Sequence, residues 1–338
     1  MQSKISGQQG KIMIADKLND DLKNKIISNL NDAVKNTIEN ASVLLRGDVF
    51  TGSGVILFKN PEKKKFYVLT AKHNLLVAGK QVHQKIGTPA TWNPQVNEQN
   101  TLTLIEYFKS QIEIFYKGAN LNSKAPDKEA QPVNAQKKIE AIKLIGDWDY
   151  DICQLEITYT DETAPRGALF GSNDSIQLKE SVKEQQNFIL TLPNYINSKE
   201  RVNGIGKYQF LQTGYGVPSS TTNRDNYVGT LNDFKIKAVE FNAYQTRNVY
   251  DETVAQYKDV FNLKSNQNCT TLPGDSGGPL FGVVLGEEKF FLYLLGLTLG
   301  SDYFVNKQDE PATLKDDPDG KYNNGATSLS EYYQILTK

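Results

Sequence analysis

From Ala41 onward, apolar residues come in short runs separated by turn residues, and this punctuation is the strongest constraint on what the chain can become. The pattern is that of antiparallel β-barrels. Phe281–Leu285, the polar tetrad Gly286-Glu287-Glu288-Lys289 and Phe290–Thr298 read as one long hairpin. Asn60 and Pro61 mark another turn, which makes the basic run Glu62-Lys63-Lys64-Lys65 a solvated hairpin tip rather than a binding patch. At 338 residues the chain exceeds one ordinary domain, and no internal repeat of fixed period is visible.

Directly before the long hairpin stands Gly274-Asp275-Ser276-Gly277-Gly278-Pro279-Leu280, a strained turn built to present a serine hydroxyl. Glycine at 274 lets a main-chain N–H point where a Cβ would resist it, so the amides of Gly274 and Ser276 are candidates to hold an oxyanion. A hydroxyl is a poor nucleophile until a base takes its proton, so a histidine and a carboxylate are required as well. The chain has two histidines. His73 follows the apolar strand Phe66-Tyr67-Val68-Leu69 and the turn Thr70-Ala71-Lys72, which would hold an imidazole at a sheet rim; His83 sits among polar residues and reads as a loop histidine. For the carboxylate, Asp151 immediately precedes the alternating strand Ile152–Ile157, with Asp149 and Asp147 as competitors.

These pieces resemble the trypsin/chymotrypsin-like serine peptidase family in the order His, Asp, Ser. Thr70-Ala71-Lys72-His73 is similar to the family's TAAH string, Asp151-Ile152-Cys153-Gln154-Leu155 to DIALL, and Gly274 to Leu280 matches GDSGGPL residue for residue. Thr51-Gly52-Ser53-Gly54-Val55-Ile56 resembles the strand before the histidine, Thr213-Gly214-Tyr215-Gly216 the GWG segment, and Gly296-Leu297-Thr298-Leu299-Gly300 the pocket-wall strand ending in SWG. The segment Thr327–Leu336 would be the C-terminal helix. The likeness covers roughly residues 42 to 338.

The resemblance implies an all-β fold of two antiparallel six-stranded β-barrels. Residues 1–40 would form a helical extension, 41–165 the first barrel with His73 and Asp151, and 166–338 the second with Ser276 and the C-terminal helix. It implies a serine endopeptidase acting on protein or peptide substrates, with the strand Thr298-Leu299-Gly300 pairing with extended substrate and the Thr298 hydroxyl reaching Asp151. Thr270 would form the base of the specificity pocket where trypsin-type enzymes carry an aspartate, which disfavours a simple Lys or Arg preference. Asp302 or Glu310 are the alternative sources of charge. Leu297 and Thr271 stand where glutamate-specific relatives place His and Ser, so a small or apolar preference is expected.

Relatives made as zymogens pair a freed Ile-Val-Gly-Gly amine with the aspartate before the serine, here Asp275. No such string lies where it should, and Lys4-Ile5-Ser6-Gly7 is a distant echo. Asp275 is therefore expected to find a lysine or backbone amides, since a buried unpaired carboxylate is costly. Two rival readings are a catalytically inactive protease-like binding module and a peptidase restricted to itself or one partner.

Composition narrows the remainder. With 38 basic and 39 acidic residues, no net field attracts nucleic acid or an acidic membrane. Two cysteines, Cys153 and Cys269, exclude a disulfide framework; Cys153 reads as a small buried hydrophobe and Cys269 as part of the loop leading to Ser276. Asn74 stands where the family usually has a cysteine. No cysteine or histidine spacing suggests a metal, and no cofactor is expected. The N-terminus shows no apolar signal core and the longest apolar run, Phe290–Leu299, is too short to span a bilayer, so a cytoplasmic protein is expected, with secretion the alternative if a leader has been removed.

Leu18, Leu22, Ile26, Leu30, Val34 and Ile38 recur every four residues, which predicts an amphipathic helix packed on the first barrel or acting as a regulatory element, with a regulatory protein partner as a further expectation. Lys117 to Lys138, rich in Lys, Asn, Gln, Ala and Pro, reads as an exposed loop, and Pro218 to Asn226 as a second polar insertion.

Overall fold

The structure, a computed structural model, describes residues 32–48, 50–75, 98–119, 132–146, 150–170, 182–187, 189, 208–216, 230–250, 255–265, 271–272, 274–285, 290–301 and 322–337. Among the described residues, thirteen strands form two antiparallel sheets. The first contains β1 (Ser42–Arg46), β2 (Thr51–Asn60), β3 (Lys65–Thr70), β4 (Glu113–Ala119), β5 (Pro132–Lys138), β6 (Ala141–Leu144) and β7 (Cys153–Thr158), in the order β5-β4-β1-β2-β3-β7-β6. The second contains β8 (Tyr208–Gly214), β9 (Lys235–Tyr250), β10 (Ala255–Ser265), β11 (Pro279–Leu285), β12 (Phe290–Ser301) and β13 (Tyr322–Ser328), closed in the order β10-β13-β12-β11-β8-β9. Among the described residues no helix is long and apolar enough to cross a membrane.

The expectation of two six-stranded barrels is therefore corrected in its first half. The N-terminal sheet has seven strands, and among the described residues no ladder joins its edges β5 and β6. Only Ile139 and Glu140 separate those edge strands along the chain. Ile139 is buried and the Glu140 N–H donates to the Glu156 carbonyl at 2.9 Å, so the sheet curls round on itself and a bend, rather than a ladder, spans the gap.

Strand alternation builds two cores at once, because successive side chains face opposite sides of a pleated sheet. Ile56, Phe66, Val68, Leu155 and Ile157 enter a core inside the curl. Their neighbours Val55, Leu57, Leu69 and Ile152 enter a second core shared with Leu211, Phe281, Val283, Leu295 and Leu297 of the closed barrel. Because β2 and β3 carry apolar residues on both faces, they are fixed in register by burial on each side.

The described helices include α1 (Asp32–Ala41), α2 (Glu98–Gln111) and α3 (Ser330–Thr337). Val34 and Ile38 of α1 are buried in the shared core, as the four-residue spacing predicts; Leu18, Leu22, Ile26 and Leu30 lie outside the described residues. The C-terminal helix starts later than expected. Thr327 and Ser328 belong to β13, and the Ser328 hydroxyl accepts from the Ser330 N–H at 3.2 Å as the helix begins. Tyr332 and Tyr333 then reach in opposite directions, one donating to Gln154 Oε1 of the first sheet at 2.8 Å and the other to the Leu294 carbonyl of the second at 2.9 Å.

The segment Lys117 to Lys138, expected as a loop, is a strand at both ends. Lys117–Ala119 belongs to β4 and Pro132–Lys138 forms β5, pairing Tyr116 with Ala135 and Glu113 with Lys138. Among the described side chains of the edge strand β5, Ala135 is the buried one, flanked by exposed polar residues, and a single apolar contact of this kind escapes a compositional reading. The hairpin tip after Asn60 is as expected, with the Lys63 N–H donating to Asn60 Oδ1 at 3.1 Å. Pro218 to Asn226 lies outside the described residues.

Candidate active site

The apolar strand β3 ends at Thr70, and Ala71 and Lys72 lead into a short helical turn through which His73 emerges. Two turn bonds fix it, from the Asn74 N–H to the Ala71 carbonyl at 3.3 Å and from the Leu75 N–H to the Lys72 carbonyl at 3.1 Å. Lys72 is fully buried, and its Nζ donates to the Ile145 carbonyl at 3.2 Å, tying this turn to the end of β6.

Asp151 enters from the strand paired with β3, two residues before β7, with 0% of its side chain exposed. Its Oδ1 accepts the His73 backbone N–H at 2.7 Å and its Oδ2 meets His73 Nδ1 at 2.6 Å. A carboxylate can only accept, so this contact places the ring proton on Nδ1 and leaves Nε2 with its lone pair. His73 remains 15% exposed, so a fully buried charge supports a ring that reaches solvent. Asp149 and Asp147, the competing carboxylates, lie outside the described residues, as does His83.

Ser276 is carried by the turn that opens β11. The Asp275 N–H donates to the Leu272 carbonyl at 2.9 Å and the Gly278 N–H to the Asp275 carbonyl at 2.8 Å. Gly274 (φ 98°) and Gly277 (φ 81°) occupy the left-handed region. A Cβ on Gly274 would lie 2.9 Å from Thr51 Cγ2, and one on Gly277 would overlap Thr70 Oγ1, so the turn lies flat against the first sheet. Three bonds dock it there: the Ser53 N–H to the Ser276 carbonyl at 2.8 Å, Asn74 Nδ2 to the same carbonyl at 3.1 Å, and the Ser53 hydroxyl to the Gly274 carbonyl at 2.7 Å. The residue after His73 thus holds the serine's own peptide group.

Among the described residues, no hydrogen bond joins His73 to Ser276. The Ser276 hydroxyl donates to the Leu299 carbonyl at 3.5 Å. That carbonyl belongs to a bulge: β12 pairs Thr298 with Ala326 and Gly300 with Gly325, which leaves Leu299 outside the ladder. The same strand clasps the serine turn, with the Gly277 N–H donating to the Thr298 carbonyl and the Thr298 N–H to the Gly278 carbonyl, both at 2.8 Å.

The expected bond from Thr298 to Asp151 is replaced by another. Thr298 Oγ1 accepts from Gln212 Nε2 at 2.9 Å, and Gln212 Oε1 accepts from the Thr271 hydroxyl at 3.3 Å, a buried polar chain on the barrel side. Gln212 carries no motif and was invisible as a site residue. Thr270 and Cys269 lie outside the described residues, as do Asp302, Glu310 and Lys4 to Gly7. Cys153 is buried beside Ala71, and burial, followed by the nearby Asp151 charge, pushes its thiol well above the ordinary range.

Asp275 has the partners expected of it, a lysine and backbone amides. Lys237 Nζ of β9 forms an ion pair with Oδ2, the Leu272 N–H donates to Oδ2 at 2.7 Å, and the Gly216 N–H donates to Oδ1 at 2.8 Å. Which lysine was not legible, because Lys235-Ile236-Lys237-Ala238 reads as an ordinary alternating strand whose lysines face water.

No protein-family model and no curated protein matches the chain. Among solved structures it is similar to the inactive form of the Rv3671c protease, at 13% identity and a TM-score of 0.40, over 96% of this chain and 98% of that one.

Proposed function

We propose that the chain is a serine endopeptidase that hydrolyses peptide bonds through an acyl-enzyme on Ser276. The observation that carries this reading is the two-point grip of buried Asp151 on His73, with the adjacent Asn74 bonded to the Ser276 peptide. His73 Nε2 takes the Ser276 proton as the hydroxyl attacks the substrate carbonyl, and later gives it to the leaving amine. Asp151 holds the tautomer and stabilises the imidazolium. The Gly274 and Ser276 amides stabilise the tetrahedral oxyanion, each donor being worth on the order of a hundredfold or more in rate. Before attack, Ser276 must exchange the Leu299 carbonyl for His73, a side-chain rotation of a kind common between resting and substrate-bound sites.

Substrate lies extended along Thr298-Leu299-Gly300, with Thr270 at the base of the primary pocket. A small or apolar residue before the scissile bond is the expected preference. The domain division at residues 40 and 165, a cytoplasmic setting, and control by a partner protein or by the N-terminal helix belong to the same reading.

The bond from Ser276 to Leu299, with none to His73, favours a second reading, a protease-like binding module that does no chemistry. A fluorophosphonate probe separates the two. Labelling of wild type at Ser276 that disappears in His73→Ala supports the peptidase; no labelling of folded protein supports the module.

A further inference from the structure

We propose that the cavity between α1 and the first sheet, walled by Lys59 and Arg166, is a binding site for a small phosphate-bearing molecule. None of its lining residues belongs to the catalytic set proposed above, so the site does not depend on the peptidase reading.

Bonded backbone builds the walls. The chain beyond β7, residues 164–170, folds back along the first sheet, where the Arg166 N–H donates to the Lys117 carbonyl at 2.9 Å. Further along, the Leu169 and Phe170 N–H groups donate to the Ile56 and Leu57 carbonyls of β2 at 3.1 and 2.8 Å. Helix α1 presses on this segment so closely that a Cβ on Gly167 would stand 2.8 Å from Asn40 Cβ. Between helix, strand and segment lies a cavity of about 340 Å³, lined among others by Asn36 and Asn40 of α1, Lys59 of β2, Arg166 and Phe170.

Its charge is one-sided. No carboxylate lines it, and both acids of α1 are engaged elsewhere, Glu39 with Lys117 at 2.5 Å and Asp32 with Lys35 at 3.9 Å. Among the described residues Lys59 and Arg166 form no ion pair, and Lys59 Nζ makes one bond, to the Pro165 carbonyl at 3.2 Å. Burial lowers the Lys59 ammonium from its ordinary value of 10.5, as expected of a cation short of compensation. The carbonyl end of α1 offsets only about half a charge. Against two full positive charges, the remainder matches the charge of about −1.5 to −2 on a phosphate group near neutrality better than the single charge of a carboxylate.

Donor geometry points the same way. An ammonium, a guanidinium and two side-chain amides offer hydrogens from several directions, as a tetrahedral phosphate accepts them. Phe170 gives the organic part of an ester an apolar surface, and the exposed Arg166 leaves the mouth open to solvent. Occupancy would tie α1 to β2 and to residues 164–170, so binding should register as added stability.

The test is calorimetric titration of the full chain with inorganic phosphate and with phenyl phosphate, beside acetate at matched ionic strength, with thermal unfolding followed in parallel. Wild type should bind phosphate saturably and unfold at a higher temperature as phosphate is added, while acetate does neither. Lys59→Met and Arg166→Gln should each weaken binding at least about tenfold, with fluorophosphonate labelling of Ser276 the same as in wild type. Tighter binding of phenyl phosphate identifies an organic phosphate and equal binding the free ion, and either supports the site. If Lys59→Met does not fold, Arg166→Gln, altered at an exposed side chain, carries the comparison. No saturable binding, acetate bound as tightly as phosphate, or wild-type affinity in folded Arg166→Gln overturns the proposal, whatever the labelling shows. Wild type that binds phosphate and does not label supports this site and overturns only the peptidase reading.

Discussion

Among the described residues, each sheet buries one aspartate, and the two are used in opposite ways. Asp151, in the curled N-terminal sheet, has 0% of its side chain exposed and spends both oxygens on His73, a residue that can change charge and reaches solvent. Asp275, in the closed barrel, is nearly as buried but faces Lys237, itself out of contact with water, and two backbone amides. A buried carboxylate facing a partly exposed imidazole is suited to moving protons, whereas one locked to a buried cation is suited to holding shape. On the proposed peptidase reading, the contrast separates chemistry from rigidity across the interface between the sheets, and Ser276, docked on one and clasped by the other, joins them.

The largest effect that could break this division is at the junction itself. Ser276→Ala should lower turnover by about a millionfold, with the circular dichroism spectrum unchanged; residual turnover near wild type would place the nucleophile elsewhere. Next in size, Asp151→Asn should cost roughly ten-thousandfold in kcat through the wrong imidazole tautomer. Asp149→Asn, measured alongside, should leave kcat nearly intact, and a reversal of the two results would move the supporting carboxylate.

A smaller effect sharpens how the halves are joined. Asn74 Nδ2 donates to Thr70 Oγ1 at 2.9 Å and to the Ser276 carbonyl at 3.1 Å. Asn74→Ala leaves those acceptors short and should lower stability by about 1–3 kcal/mol in chemical unfolding, with a loss of rate well below that of Asp151→Asn.

The smallest effect near neutrality is a pH dependence that arises on the alkaline side. Burial raises the phenols of Tyr215, Tyr332 and Tyr333 above their ordinary value of 10.0. A raised folded-state pKa means the stabilisation is complete below the ordinary phenol range and is lost as pH rises from there towards the folded values. Phenolate absorbance followed together with circular dichroism should therefore show these tyrosines ionising only as the fold is lost. Ionisation of all seventeen tyrosines near 10.0 with the fold intact would contradict their burial.

What could be read beforehand was local in sequence. Gly274 to Gly278 spells its turn in consecutive residues, and Asp151 announces itself by standing before a strand whose burial alternates without a break from Cys153 to Thr158. What could not be read depends on partners distant in sequence. Nothing beside Lys237 says that its strand turns inward to meet a carboxylate 38 positions away. Gln212 and Asn74 have the same difficulty, since an amide in a strand or turn acquires meaning only from what the fold brings to it. The helix α2 was missed because Leu104 and Phe108, its buried residues, are diluted by polar neighbours, and β5 because an edge strand needs only one apolar face. Closure of the first sheet was overstated for a related reason: strand number and edge pairing depend on the bend at Ile139, which has no motif.

The central claim is that His73, held by Asp151, activates Ser276. Intact-mass measurement during turnover of a slow peptide ester tests it most directly. The account predicts an acyl adduct on Ser276 in wild type, formed with a burst of leaving group, and no adduct in His73→Ala or Ser276→Ala. An adduct at full rate in folded His73→Ala, or none at Ser276 in folded wild type, would contradict it.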